Sequence, residues 1–147
     1  PLNGKKREAD VKIGDLRFSS DNHPLPQIHR VGNIGETPFH VIGIGRKGEL
    51  APETISLEGD TSGMELDMEK EHASVYRIKL KPGEKTGMHK HNLPFTNVYL
   101  NAGQIALNTD SAKSVQAGDY LWQDGGVSHS YENTGSESIE IIEMQWR

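Results

Sequence analysis

Gly83-Glu84-Lys85-Thr86-Gly87-Met88-His89-Lys90-His91-Asn92-Leu93-Pro94-Phe95-Thr96-Asn97-Val98-Tyr99-Leu100-Asn101-Ala102-Gly103 is the stretch that decides how this chain reads. Lys81-Pro82-Gly83-Glu84 makes a turn into it, because Pro pre-sets φ and Gly accepts positive φ. Side chains on a strand alternate faces, so His89 and His91 point the same way. Their Cα atoms then lie roughly 6.5–7 Å apart, a spacing from which two imidazoles converge on one metal ion. A third ligand must come from elsewhere. An isolated His-x-His is a weak signal, since two surface histidines on a hairpin are a common accident.

The third ligand is expected from Gly118-Asp119-Tyr120-Leu121-Trp122-Gln123-Asp124-Gly125-Gly126-Val127-Ser128-His129-Ser130-Tyr131-Glu132-Asn133. Together the two stretches resemble the paired motifs of the cupin superfamily, over about residues 75–146. Gly83, His89, His91 and Gly103 fit the first motif, with Thr96 where that motif usually has Glu. Gly118, Gly126, His129 and Asn133 fit the second, with Asp124 in place of Pro. The resemblance implies a mononuclear metal centre held by His89, His91 and His129. It implies Fe(II) first among the metals, with Mn, Ni and Zn as alternatives, because imidazole suits several of them. Thr96 is a poor ligand, so a divalent ion there keeps its double charge and favours an anionic partner.

The bounds agree with a single small-molecule protein. The chain has 147 residues, enough for one domain with a core and half of another. Sixteen Lys and Arg against 21 Asp and Glu give a net charge of -5, with no basic cluster beyond Lys5-Lys6-Arg7, which argues against nucleic acid. No apolar run approaches a membrane span, and no signal core opens the chain. The absence of cysteine excludes disulfides and thiolate ligands. A soluble, cytoplasmic protein is expected, with secretion left open because Pro1 reads as a processed or truncated start.

The expected fold is all-β: a cupin-type jelly-roll β-barrel at residues 70–147, residues 49–69 a linker with a short helical turn over 62–70, and residues 1–48 a partial cupin-like half. Strand alternation is clear at Val75-Tyr76-Arg77-Ile78-Lys79-Leu80 and at Ile139-Glu140-Ile141-Ile142-Glu143-Met144-Gln145-Trp146. The additional N-terminal half-barrel rests on a repeat. Val11, Gly14, Asp15 and Phe18 align with Val115, Gly118, Asp119 and Trp122, while His29, Asn33 and Gly35 align with His129, Asn133 and Gly135 at a constant offset. Strands are accordingly expected from Val11 to Phe18 and from Phe39 to Ile44. No His pair lies upstream, so His29 is expected to lack a metal site.

Around the metal, Tyr99, Tyr131 and Glu143 are the candidate catalytic groups, and Trp122, Gln145 and Thr96 the candidate substrate contacts. For Trp122 and Trp146 ordinary core packing is an equal alternative. The resemblance implies an enzyme acting on a small anionic metabolite, with a three-His non-haem iron dioxygenase leading. Metal-assisted isomerase or lyase chemistry and a non-catalytic binding or sensing module are the alternatives, because one fold hosts many sites. Uncovered strand edges predict a homo-oligomer, a dimer or larger.

Overall fold

β11 (Ile139–Trp146) is the strand on which the rest is hung. Its odd positions, Ile139, Ile141, Glu143 and Gln145, are all almost completely buried, so one face of the strand forms the interior. In the computed structural model, which describes residues 8–18, 30–45 and 51–147, β11 is central to a five-stranded sheet of order β2-β3-β11-β5-β8. β3 (Ala73–Leu80) runs antiparallel along its whole length, from Ile139 opposite Leu80 to Trp146 opposite Ala73. On the other side β5 (Phe95–Tyr99) places Asn97 opposite Glu143 and Thr96 opposite Met144. β2 (Met64–Lys70) and β8 (Tyr120–Gln123) are the two edges.

A second sheet carries the histidines. β1 (Leu57–Gly59), β4 (His89–His91) and β9 (Ser128–His129) pair in the order β1-β4-β9, with His89 directly opposite His129. A third, of order β10-β6-β7, joins β10 (Tyr131–Asn133), β6 (Gly103–Leu107) and β7 (Lys113–Val115). The apolar core lies at the Gly103 end of the fold and contains Ile78, Leu80, Tyr99, Ile105, Val115, Tyr131, Ile139 and Ile141. Each such side chain removed from water is worth about 1.5–3 kcal/mol, so this cluster fixes how the sheets face each other. All-β architecture is thus as expected, with three separate hydrogen-bonded sheets and no helix among the described residues. None is therefore long and apolar enough to cross a membrane.

Two expectations are corrected. The stretch 49–69 is not merely a linker, since it contains β1 and most of β2, and the turn expected over 62–70 is strand. Met64, Leu66 and Met68 do alternate with charged residues, but a β-bulge between Leu66 and Met68 and the exposed edge weaken the pattern. The strands expected at 11–18 and 39–44 are also absent from the described residues. Contacts divide the chain into Pro1–Gly43 and Ile44–Arg147. Within the first unit Val11, Ile13, Phe18, Val31, Ile34, Phe39 and Val41 are exposed, so no flanking strand among the described residues holds an extended segment in place. His29 and His23 lie outside the described residues, and His40 is exposed.

Candidate metal centre

The turn 81–84 sets the chain toward the ligand strand: Glu84 N–H donates to the Lys81 carbonyl and Lys81 N–H to Glu84 Oε2. β4 then follows with His89 and His91 on one face, as the period of two requires. Across the ladder, the segment before His129 closes onto β4 through Gly126 N–H, which donates to the His91 carbonyl at 2.7 Å. Gly125 makes this approach feasible, because a Cβ there would stand 2.6 Å from the Asn92 carbonyl oxygen and 2.7 Å from Leu93 Cα. Three imidazoles therefore reach one point from two adjacent strands. All three are essentially fully buried.

The fourth group comes from the opposite sheet. Glu143 of β11 is fully buried, with Oε1 2.6 Å from His91 Nε2 and 3.1 Å from His89 Nε2, and Oε2 3.2 Å from His129 Nε2. One ligand atom from each of the four residues lies within 4.8 Å of every other. Glu143 thus supplies the carboxylate that was expected to be missing. Where a divalent ion was expected to keep its double charge, one held by all four groups would keep a net single positive charge. Thr96 cannot fill this role. Phe95, Asn97 and Tyr99 occupy the inward face of β5, and Thr96 points with Met144 and Trp122 to the other side of the sheet.

The proton inventory fits a cation. His89 Nδ1 faces the Gly87 carbonyl at 3.1 Å and His129 Nδ1 faces the Val127 carbonyl at 3.3 Å. A carbonyl only accepts, so both Nδ1 atoms carry the proton and both Nε2 lone pairs are aimed at a carboxylate. Acceptor facing acceptor in a buried place requires positive charge between them, either a proton or a metal ion. Burial alone would raise the Glu143 carboxyl, but hydrogen bonds from His129, His89 and His91 reverse that and hold it well below the usual carboxylate range. Burial pulls His89 down, and the hydrogen bond and charge of Glu143 overcome this to raise it. Three imidazole nitrogens and one carboxylate oxygen are the donor set of a borderline divalent ion such as Zn, Fe, Mn or Ni.

Around this cluster the candidate residues divide. Tyr131 shares the site: its hydroxyl donates to Glu143 Oε2 at 2.6 Å, and burial with the nearby carboxylate keeps it protonated, well above its ordinary range. Gln145 meets His91 Nδ1 at 3.0 Å. Tyr99 is buried in the apolar core, its hydroxyl raised by burial and by the charges of Glu143 and Asp119. Trp122 does not join the site. It is 52% exposed on the edge strand β8, edge-on to Trp146 at 4.9 Å.

Two residues at the cluster were missed in the sequence. Phe95 stacks on His129 and tilts against His91, with ring centroids 4.7 and 4.3 Å away. Asn97 donates to the Tyr131 hydroxyl and, at 3.4 Å, to Glu143 Oε2, while its Oδ1 is buried without a partner among the described residues. Counting back by twos from Tyr99 would have found both.

Comparison with known proteins agrees with this geometry. The model of the cupin domain matches residues 76–144. An oxalate-binding protein of Thermotoga maritima is 37% identical over 107 residues, 66% of this chain and 88% of that protein. Among solved structures, a cupin domain from Bordetella pertussis superposes with a TM-score of 0.53 at 19% identity, covering 61% of this chain and 97% of the other. A predicted oxalate decarboxylase of Thermotoga maritima is 29% identical with a TM-score of 0.44, covering 66% of this chain and 96% of the other. The cupin-domain match over residues 76–144 and the 37% identical relative lead to one conclusion: this chain belongs to the cupin superfamily.

Proposed function

We propose that His89, His91, His129 and Glu143 hold one divalent cation, and that this centre takes a small carboxylate anion, with oxalate the first candidate. The observation that carries the reading is the convergence of three Nε2 atoms and one carboxylate in a buried place that needs a cation. Four protein donors would leave a divalent ion that takes more than four ligands able to accept a small dicarboxylate as well. The ion would act as a Lewis acid, and a net positive charge in a low-dielectric interior favours an anion. Tyr131 and Asn97 stand beside Glu143 as donors, and Phe95 packs against the His91 and His129 rings. Glu143 is reassigned here from catalytic group to ligand. The 37% identical oxalate-binding relative supports the choice of anion.

Calorimetric titration of oxalate into the protein loaded with Mn(II) is the test. Saturable binding is expected, absent from the metal-free protein and from the triple substitution of His89, His91 and His129 to Ala. Equal binding in all three would overturn the reading. A second reading, oxygen-dependent chemistry on Fe(II), draws on the same three converging imidazoles. Oxygen uptake by the iron-loaded protein, with small carboxylates offered as substrate, is its test, and isomerase or lyase turnover without oxygen would replace it. Exposed Tyr120, Leu121 and Trp122 on edge strand β8 support the homo-oligomer, which light scattering checks.

We further propose that residues 11–18 and 33–37 repeat the turns of residues 115–122 and 133–137. Two turns support this. Asp15 N–H donates to the Lys12 carbonyl and Lys12 N–H to Asp15 Oδ2, as Asp119 N–H does to Gln116 and Gln116 N–H to Asp119 Oδ2, with Gly14 and Gly118 at φ 80° and 88°. Asn33 accepts from Gly35 N–H and donates to the Thr37 carbonyl, as Asn133 does with Gly135 and Glu137. Without counterparts of β3 and β5, amides at 39–44 should exchange with solvent far faster than those of β11. Protection equal to that of β11 would instead show that residues 39–44 are held as a strand of a half-barrel.

A further inference from the structure

His91 differs from its two neighbours. Backbone carbonyls hold His89 and His129 in one tautomer, whereas His91 Nδ1 faces the side-chain amide of Gln145, which can either donate or accept. Gln145 is fully buried and leaves β11 on the same face as Glu143. Its amide fits in two orientations, of which the one with Nε2 toward the ring makes more hydrogen bonds. With Oε1 toward the ring, it accepts from His91 Nδ1–H at 3.0 Å while Nε2 donates to Asn92 Oδ1 at 2.7 Å. That orientation sets Oε1 3.2 Å from the Ser56 carbonyl oxygen and turns Nε2 toward the Leu93 N–H.

The other orientation reverses every contact. Nε2 then donates to His91 Nδ1 and to the Ser56 carbonyl, and Oε1 accepts from Leu93 N–H at 2.9 Å and Asn92 N–H at 3.3 Å. Its cost is Oε1 against Asn92 Oδ1. Asn92 cannot turn to relieve this, because its Oδ1 accepts from Ser56 N–H at 2.7 Å and its Nδ2 donates to the Thr54 carbonyl at 2.8 Å. Each orientation of Gln145 thus carries a contact between like partners, and each demands a different tautomer of His91.

We infer that Gln145 is a positioning residue whose amide turns over when the centre is loaded, coupling the tautomer of His91 to cation occupancy. This rests on the reading that the cluster holds a cation. In the metal-free protein the proton is on His91 Nε2, donated to Glu143 Oε1 at 2.6 Å, and Nδ1 accepts from Gln145. Loading requires the Nε2 lone pair. The proton leaves Nε2, one is taken up at Nδ1, and the amide presents Oε1 to it, so the ring's charge is unchanged. Loading then forfeits the Leu93 and Asn92 bonds to the amide, and unloading restores them, so Gln145 sets a limit on affinity.

The test is nitrogen NMR of the histidine rings in the full chain, metal-free and with Zn(II). His91 is expected to change tautomer on loading, while His89 and His129 keep Nδ1 protonated throughout. In Gln145→Glu, whose carboxylate only accepts, Nδ1 should be protonated in both states and Zn(II) should bind about tenfold more tightly. In Gln145→Leu, affinity should fall by about 10- to 100-fold. Zn(II) bound with His91 in one tautomer throughout would overturn the inference and leave the metal centre standing. Zn(II) failing to move any of the three rings would overturn both. The wild-type measurement stands alone if Gln145→Leu does not fold.

Discussion

At the scale of the residue, Glu143 decides what the site is. Glu143→Gln keeps its size and its place opposite Asn97 but removes the charge that three imidazoles surround. Zn(II) affinity should fall by more than about 100-fold, beyond what losing an outer contact costs, and calorimetry measures it. The same group sets a pH dependence. Glu143 is held below its ordinary 4.5, so its contribution is present above that value and lost as pH falls through the lower folded one. His89 is raised above its ordinary 6.5, so its contribution is present below that value and lost as pH rises through the higher folded one. Metal-free protein should therefore be most stable to urea between these limits, and Zn(II) should remove the loss on the alkaline side. Unfolding midpoints from about pH 4 to about pH 9, with chelator and with Zn(II), decide this. The three histidines were legible because ligand spacing on adjacent strands is local. That Glu143 joins the cluster was not, because its approach depends on β11 lying across from β4. Thr96, expected among the substrate contacts, lies on the other face of β5 from Asn97, and motif counting ignores which face a side chain takes.

At the scale of the element, the join between β4 and the segment before β9 is a close backbone-to-backbone approach. Gly125→Ala would place a methyl 2.6 Å from the Asn92 carbonyl and the Leu93 backbone, where nothing flexible can yield. The substitution should cost about 1–3 kcal/mol in urea unfolding and weaken Zn(II) binding, because His91 and the His129 strand must part. Wild-type behaviour on both counts would mean that this approach does not hold the ligands. The Gly-rich turn was visible in the sequence, but which backbone it meets was not. The edge elements show the same limit. β2 carries its apolar alternation in only three residues, Met64, Leu66 and Met68, interrupted by a bulge, whereas β3 and β11 bury continuous faces and were read correctly.

At the scale of the whole molecule, the two units carry the same turns in different settings. Asn133 is fully buried and bonds the Leu80 and Glu137 carbonyls and Gly135 N–H, while Asn33 makes the equivalent local bonds in exposure. Asn133→Ala should therefore cost about 1–3 kcal/mol for the buried groups it strands, and Asn33→Ala less than about 0.5 kcal/mol. This asymmetry explains why a repeat legible in sequence need not fold twice. A turn is specified by its own few residues, but a strand is specified by the neighbours that cover it. The second unit has those neighbours: its core and all four groups of the cluster lie between Met64 and Gln145. A chain of residues 44–147 should accordingly keep its urea midpoint and bind one Zn(II) with wild-type affinity. Loss of either would show that residues 1–43 are part of the same cooperative fold, and the repeat would then have to be understood as a support of the metal-binding unit rather than as a half built on its plan.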